Sequence, residues 1–360
     1  MQAARSSRVL SILGYALALI TLLSLLTGCG EQIAQTAPDN QRGQSAGVRT
    51  LTLGAYTTPR EVYGQGIIPA FQRYWKAKTG EDVRFEASYL GSGAQARAIV
   101  GGFEADVAAL SLELDIETLA QAGLITHDWR AGANQGMVTR SLVVLAVRQG
   151  NPQGIQDWDD LRRPGLAVLT PNVRTSGGAM WNICALYGAA LRGATQAPRG
   201  DAAAAEALLA GVLGNVRVMD KGARESIINF EKGVGDVAIT YENEVLVGRK
   251  AGRTYDYVIP KATILIENPA AVVDQYADRH GNRDLAKGFV AFLTTPEAQN
   301  AFVEFGLRPV DPGVAQATAA RFPAVQDLFT VRDLGGWEGV AKTLFAPGAA
   351  YDRATGGSAK

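Results

Sequence analysis

The amino-acid sequence predicts an α/β protein of two lobes with a cleft between them, and three observations carry this prediction. The chain has 360 residues, 47% of them hydrophobic, and at that length a single core gives way to two. From Arg49 onward, short apolar runs alternate with longer amphipathic ones, which is typical of layered α/β folds. Small or hydroxyl-bearing residues follow several of the short runs, where parallel sheets collect ligands.

The first 28 residues have the features of an export signal. Arg5 and Arg8 precede an apolar run over residues 9–26, which ends in Leu-Thr-Gly-Cys at Cys29. A membrane-spanning helix is the alternative, because the run is nearly long enough to cross a bilayer. We favour the signal, since its ending resembles the bacterial lipobox, whose cysteine carries a lipid. The sequence therefore predicts a lipid anchor at Cys29 and a periplasmic or other extracytoplasmic location.

The remaining chain divides into a tether, two lobes and a tail. Residues 29–47 are small and polar and predict a flexible tether, and residues 347–360 predict a C-terminal tail. We expect lobe 1 to comprise residues 48–139 and 259–346, and lobe 2 to comprise residues 140–258. The hinge is expected near residues 140–143 and 244–258.

Strand and helix patterns alternate through both lobes. Strands are predicted at residues 49–56, 83–89, 107–110, 142–147, 166–170, 216–219, 237–241 and 254–259. Helices are predicted, among others, at residues 61–78, 93–101, 179–191, 202–213 and 283–294.

Three strand-to-helix turns favour an anion site. They contain Gly91-Ser92-Gly93, Thr175-Ser176-Gly177-Gly178 and Gly222-Ala223. The first N–H groups of a helix lack internal partners and carry partial positive charge, so they solvate an oxyanion without a full cation. Each turn alone is better explained as an ordinary helix cap or turn glycine. Three on one edge of the sheets predict a shared site.

These turns belong to a longer series of motifs that resembles the periplasmic sulfate- and thiosulfate-binding proteins of ABC importers. The series comprises residues 58–61, 91–93, 103–106, 148–152, 157–161, 170–172, 175–179, 181–182, 222–224, 235–237, 242–244 and 308–309. The resemblance implies a type II periplasmic-binding-protein fold that closes about a hinge. It also implies that sulfate or thiosulfate is held without counter-cations and is passed to membrane permease subunits.

The resemblance also implies a set of ligand-binding residues. They are Ser92 in the first turn, Thr175, Ser176, Gly177 and Gly178 in the second, Ala223 in the third, and Tyr241 and Thr57. The last two depart from the family pattern. Tyr241 stands where relatives commonly have tryptophan, and a phenol accepts as well as donates hydrogen bonds. Thr57 stands where relatives often have aspartate, so a carboxylate near the cleft is missing.

Other function classes are less favoured. A hydrolase would need a base beside Ser92 or Ser176, but His127 and His280 lie in polar stretches and no Gly-x-Ser-x-Gly motif occurs. Two separated histidines predict no metal site, and we expect no cofactor. Equal numbers of basic and acidic side chains, 35 each, argue against nucleic acid. We expect a monomer.

Two questions stay open on the residues alone. Molybdate, tungstate, phosphate or a sulfonate remain alternative ligands in the same fold. Four acidic residues could be imagined as acid/base pairs, but we expect them to cap helices or to pair with Arg224 or Arg308. They are Asp106, Asp236, Glu242 and Glu244.

Overall fold

Strands and helices alternate along the chain in the computed structural model, which describes residues 48–132 and 134–356. The predicted signal, Cys29 and the tether lie outside these residues. The strands are β1 Arg49–Tyr56, β2 Val83–Leu90, β3 Val107–Ala109, β4 Met137–Arg148, β5 Val168–Leu169, β6 Val216–Val218, β7 Val237–Tyr241, β8 Tyr255–Val258, β9 Ala262–Val272 and β10 Asp327–Phe329.

Helices cover the strands and include several short turns. The α-helices are α1 Arg60–Val62, α2 Ile68–Thr79, α3 Ser92–Val100, α4 Glu113–Gln121, α5 Gly177–Leu191, α6 Ala202–Gly214, α7 Ala223–Glu231, α8 Glu242–Lys250, α9 Asp274–Arg279, α10 Arg283–Leu293, α11 Pro296–Glu304, α12 Pro312–Thr318, α13 Gly336–Val340 and α14 Ala350–Ala354. Tyr63–Ile67 and Ala341–Phe345 are π-helical, and Trp158–Arg162, Ala319–Arg321 and Val331–Leu334 are 3₁₀-helical.

Each lobe has parallel strands whose C-terminal ends point to the cleft. In lobe 1, β1 lies between β2 and β3, parallel to both. In lobe 2, β5 lies between β6 and β7, again parallel to both. Because parallel strands end at the same edge of a sheet, the turns that follow them gather on one side.

Two long antiparallel strands cross between the lobes. Met137–Leu142 of β4 pairs with β9, and Val143–Val147 of the same strand pairs with β7 in lobe 2. The far end of β9 pairs with β3 in lobe 1. Residues 140–143, where a hinge is predicted, lie in β4 where its partner changes from β9 to β7. In the other predicted hinge segment, residues 244–258, Val245 and Tyr255 pack in one cluster with Phe230 of α7.

The C-terminal segment differs from the expected lobe boundaries. β10 pairs in parallel with Ala262–Ile264, and Phe329 packs in the lobe 2 core. Trp337 stacks edge-on against Trp181 of α5 with ring centroids 4.7 Å apart. The chain from β10 to α14 thus returns to lobe 2, where lobe 1 and a tail were predicted. Burial of these apolar side chains explains the difference.

The largest hydrophobic cluster of each lobe has its own character, although Tyr56 and Leu112 of lobe 1 pack with the lobe 2 cluster. Aromatic side chains dominate the lobe 1 core, among them Phe71, Phe289, Phe292 and Phe302. The lobe 2 core is built around Trp158, Trp181 and the apolar helix α5. In residues 48–132 and 134–356, no helix has both the length and the apolar character needed to cross a bilayer.

Candidate anion-binding site

Each predicted turn joins the end of a parallel strand to the start of a helix. β2 ends at Leu90 and α3 begins at Ser92, with Gly91 at the cap. β5 leads to Ser176, which caps α5, and β6 leads to Gly222, which caps α7. This arrangement was predicted for all three turns. It places three sets of helix N–H groups at the cleft edge of the sheets.

The first turn contacts both of the others across the cleft. A methyl group on Gly91 would lie 2.5 Å from the carbonyl oxygens of Thr175 and Lys221. The N–H of Ala94 donates to the Thr175 carbonyl at 3.3 Å. Only glycine allows this backbone approach. The two lobes therefore meet at the candidate site.

The start of α5 is packed against both lobes. The Ser176 hydroxyl accepts from the N–H of Ala179 at 3.4 Å, so the amides of Gly177 and Gly178 precede the first capped N–H. A Cβ on Gly177 would lie 2.6 Å from Ser111 Oγ in lobe 1. A Cβ on Gly178 would lie 2.8 Å from the Tyr241 ring. Both glycines are buried, and neither position has room for a side chain.

The third turn meets the residue that follows β1 in lobe 1. A Cβ on Gly222 would lie 3.0 Å from Thr57 Oγ1, and Thr57 is buried. Ala223, at the first position of α7, is buried too, and its Cβ lies 3.0 Å from the Cβ that Gly178 would carry. Thr57, Gly178 and Ala223 are thus brought together.

Ser92 takes part in a chain of buried polar groups. Its hydroxyl donates to Asp115 Oδ2 at 2.5 Å and accepts from the N–H of Ser111 at 2.8 Å. Burial raises the pKa of Asp115 to about 6, although the Ser92 hydroxyl and Arg97 act in the opposite direction. The hydroxyl proton of Ser92 is therefore engaged, and its backbone N–H is one of the first N–H groups of α3, which lack partners within the helix.

Ser111 is a candidate site residue that the sequence analysis did not identify. Its Oγ lies 2.7 Å from the Tyr241 hydroxyl, and its carbonyl accepts from Trp181 Nε1 at 3.1 Å. The missed signal is a fourth turn of the same kind, because Ser111 follows β3 and precedes α4. Tyr241 is fully buried, and that burial raises its pKa far above the ordinary range, so the phenol keeps its proton.

Thr175 lies at the edge of this group. Its hydroxyl donates to the carbonyl of Asn172 at 3.3 Å, and its own carbonyl contacts the first turn. Thr175 therefore links the turns through its backbone and uses its hydroxyl within its own turn.

Arg224 forms an ion-pair bridge between the lobes. Its Nη2 lies 2.6 Å from Glu61 in lobe 1, and its Nη1 lies 2.8 Å from Glu244 in lobe 2. Burial raises the pKa of Glu244 to about 7, and the guanidinium opposes this rise. Pairing with Arg224 is one of the alternatives that the sequence offered for Glu244. Likewise, Glu242 accepts two hydrogen bonds from Arg308, at 2.6 and 2.9 Å.

The histidines occupy structural positions away from the serines of the cleft. His127 Nδ1 lies 2.7 Å from Asp274, and His280 lies 2.8 Å from Asp106 and 3.0 Å from Glu104. No set of three or more potential ligands is arranged for a metal ion within the described parts of the chain.

Comparison with known proteins gives consistent results. Residues 51–308 match the family described as bacterial extracellular solute-binding protein. A sulfate-binding protein of Synechococcus elongatus is 43% identical over 92% of this chain and 94% of its own length. A thiosulfate-binding protein of Pseudomonas aeruginosa is 34% identical over 86% of this chain and 93% of its own.

A solved structure adds the fold. The sulfate-binding protein SubI from Mycobacterium tuberculosis superposes with a TM-score of 0.76 at 37% identity, covering 82% of this chain and 99% of SubI. The matches confirm the predicted two-lobed α/β fold class. They also confirm the expectation of a binding protein over a hydrolase. The chain therefore belongs to the family of bacterial extracellular solute-binding proteins.

Proposed function

We propose that this protein captures sulfate or thiosulfate between its lobes and delivers it to the permease of an ABC importer. The names of the relatives support the ligand class, and they cover most of the chain. We further propose that Cys29 carries a lipid that holds the protein at the outer face of a membrane, and that the protein acts as a monomer.

The convergence of three helix starts is the observation that carries the proposal. Ser92, Gly177 and Ala223 open α3, α5 and α7, and the glycine contacts above bring these starts together. A hydrogen bond to a charged oxygen contributes about 1.5 to 3 kcal/mol. Several such amides therefore support micromolar affinity, about −8 kcal/mol. A buried lysine in their place would add its own desolvation cost.

Two guanidinium groups beside the turns have partners among the protein's own groups. Arg224 pairs with Glu61 and Glu244, and Arg174 pairs with Asp352 at 2.8 Å. This favours an anion held by fixed dipoles, with guanidinium groups that orient the turns. Ser176, Ser111 and Tyr241 supply hydroxyls beside those amides.

Isothermal titration calorimetry of the purified protein tests the ligand. Sulfate and thiosulfate are expected to bind at micromolar or lower concentration, while molybdate and phosphate serve as competing candidates. Gly177→Asp places a carboxylate at the start of α5 and is expected to abolish binding. Gly64→Asp is the matched control, because Gly64 is exposed and a Cβ there meets nothing within 4 Å. Dissociation constants above about 1 mM, which is about −4 kcal/mol, for both sulfate and thiosulfate would contradict the proposal.

The lipid anchor has a separate test. Labelled fatty acid is expected to enter the protein expressed in a bacterium and to be lost in Cys29→Ala. Equal labelling of the two proteins, or none of the wild type, would rule out the anchor at Cys29.

A further inference from the structure

We propose that Ser111 is a specificity-determining residue, which holds the Tyr241 phenol as a hydrogen-bond donor towards the anion and so excludes oxyanions that keep a proton. This inference rests on the proposed anion-binding function of the cleft and deepens it. A phenol in an anion site is ambiguous, because it accepts as well as donates hydrogen bonds. In its accepting state it would serve a protonated guest.

The contact between Ser111 and Tyr241 lies over the first residues of α5. The two hydroxyl oxygens are 2.7 Å apart, and both residues are fully buried. A Cβ on Gly177 would lie 2.6 Å from Ser111 Oγ, and a Cβ on Gly178 would lie 2.8 Å from the Tyr241 ring. The two hydroxyls therefore lie beside a helix start whose first amides precede the capped N–H of Ala179.

The main chain of Ser111 is held by three neighbours. Its N–H donates to Ser92 Oγ at 2.8 Å, and its carbonyl accepts from Trp181 Nε1 at 3.1 Å and from Asn268 Nδ2 at 3.0 Å. Both backbone groups of Ser111 are therefore engaged elsewhere. The fold thus positions its side-chain hydroxyl against the phenol.

Two protons and two oxygens allow the hydroxyl pair two arrangements. If Tyr241 donates to Ser111, the phenol presents lone pairs to the guest, whereas if Ser111 donates to Tyr241, the phenol O–H is free to donate. The phenol is the stronger acid of the two, and a hydrogen bond to a charged oxygen is about twice as strong as one to a neutral oxygen. A fully ionised guest therefore selects donation from Ser111 to Tyr241 and from Tyr241 to the anion.

The surroundings of the phenol oxygen favour the same order. Burial raises the pKa of Tyr241 far above the ordinary range, while hydrogen bonds with Ser111 and Asn268 act in the opposite direction. A neighbour lowers the pKa of a phenol by donating a hydrogen bond to its oxygen. The phenol oxygen therefore accepts from the protein, and its own proton is left for the guest.

A guest that keeps a proton meets a different situation. Hydrogen phosphate and sulfate are both dianions, but hydrogen phosphate carries one O–H, which needs an acceptor. Of the site groups named above, the amides only donate, and the hydroxyl oxygens of Ser92, Ser176 and Tyr241 already accept from protein groups. The O–H of the guest would lose a hydrogen bond in the cleft, which disfavours phosphate against sulfate by about tenfold or more.

Competition calorimetry at about pH 8 tests this assignment, with sulfate as the bound anion and phosphate or selenate as the competitor. At this pH phosphate is mainly a dianion that keeps one proton, whereas sulfate and selenate keep none. In Ser111→Ala the phenol is free to accept, so the ratio of the phosphate to the sulfate dissociation constant should fall about tenfold. The ratio of selenate to sulfate should stay the same, because only a change in the size of the site would alter it.

Two further variants separate the role of the phenol from the loss of a buried hydroxyl. An indole donates and does not accept, so Tyr241→Trp combined with Ser111→Ala should restore the wild-type ratio of phosphate to sulfate. Ser88→Ala removes another lobe 1 hydroxyl, which donates to Gln95 at 2.9 Å, and should leave both ratios unchanged. Because each ratio is measured within one protein, a partial loss of stability does not alter it.

Phosphate excluded by Ser111→Ala as strongly as by the wild type would overturn the assignment. A loss of selectivity that included selenate would overturn it too, as would a double variant that kept the ratio of Ser111→Ala. Failure of the proposed function would look different, because the wild type would then bind neither sulfate nor thiosulfate.

Discussion

The two faces of the cleft approach the same space with different chemistry. On the lobe 2 face, α5 and α7 begin with Gly177, Gly178 and Ala223, which present amides with little or no side chain. On the lobe 1 face, the hydroxyls of Ser92 and Ser111 are tied to Asp115 and Tyr241.

The difference separates two tasks. Backbone amides at a helix start cannot change protonation and cannot turn away, so the lobe 2 face offers a fixed positive potential. Hydroxyl groups rotate and both donate and accept, so the lobe 1 face responds to its partners. Lobe 2 is therefore expected to supply most of the affinity, and lobe 1 to tune it.

The largest expected effect comes from Arg224, which belongs to the third turn but contacts both faces. Arg224→Met leaves Glu244, which is fully buried, without its cation. Breaking a buried ion pair costs about 3 to 5 kcal/mol, and proton uptake by Glu244 should reduce the loss below neutral pH. Unfolding in urea at several pH values measures this.

Arg174→Met is the matched control for Arg224→Met. Arg174 lies in the neighbouring second turn, and its partner is Asp352, with half of the Arg174 side chain exposed. Exposed pairs contribute less than about 1 kcal/mol. Equal losses of unfolding free energy in Arg224→Met and Arg174→Met would show that the ion pairs of Arg224 stabilise the protein no more than an exposed pair does.

Alanine at the two glycines of α5 distinguishes contact between lobes from contact within one. A methyl at Gly177 would press on Ser111 and Leu112 of lobe 1, whereas a methyl at Gly178 would press on Tyr241 and Ala223 of lobe 2. Overpacking costs about 1 to 3 kcal/mol in either case. Gly177→Ala is expected to bind sulfate about tenfold to hundredfold more weakly than the wild type does. Gly178→Ala should lower the free energy of unfolding as well.

Calorimetry and urea unfolding on both glycine variants report these quantities, and Gly64→Ala, in open space, should change neither. If Gly177→Ala bound sulfate as the wild type does, closure of the lobes at this contact would not be needed.

The hydroxyl pair of the lobe 1 face is expected to have a smaller effect. Ser111→Ala and Tyr241→Phe each remove one partner of the 2.7 Å contact, and each leaves the other hydroxyl buried without it. The unmade bond should cost about 1 to 2 kcal/mol of stability in each single variant. The double variant leaves neither hydroxyl of this pair without its partner. Its loss of unfolding free energy should therefore be about 1 kcal/mol smaller than the sum of the losses in the two single variants. Simple additivity in urea unfolding would mean that the two hydroxyls do not depend on each other.

Much of the sheet and of the lobe 2 face could be predicted from sequence. Runs such as residues 49–56 and 237–241 match β1 and β7 to the residue, because parallel buried strands are short and apolar. β9 was missed, since Asn268 and Pro269 interrupt its apolar pattern and proline is rare inside a sheet. The predicted helix at residues 61–78 contains a π-helical turn before Pro69, which lacks the N–H that a regular helix needs there.

The lobe 1 face could be predicted only in part. Ser92 could be identified because it lies in a Gly-Ser-Gly turn. Its hydrogen bond to Asp115, however, joins residues 23 apart in the sequence, and the contact of Ser111 with Tyr241 joins residues 130 apart. The lobe assignment of β10 to α14 likewise depends on which core covers Phe329 and Trp337. Local patterns report periodicity and caps, whereas these contacts arise from tertiary packing.

The smallest predicted effect is at His280, which lies outside the cleft and contributes to the pH dependence of stability. Burial opposes protonation of His280, but hydrogen bonds from its ring to Asp106 and Glu104 raise its pKa overall. A raised pKa in the folded state means that the imidazolium stabilises the protein fully below the unfolded pKa of about 6.5, and that this contribution is lost as pH rises through the folded value. The ring is partly exposed, so the contribution should stay below about 1 kcal/mol. Urea unfolding of the wild type and His280→Asn should therefore differ more in acid than in base, while sulfate affinity stays the same. A sulfate affinity that changed with His280→Asn would show that this remote part of lobe 1 acts on the cleft, and the two faces of the cleft would no longer divide as described.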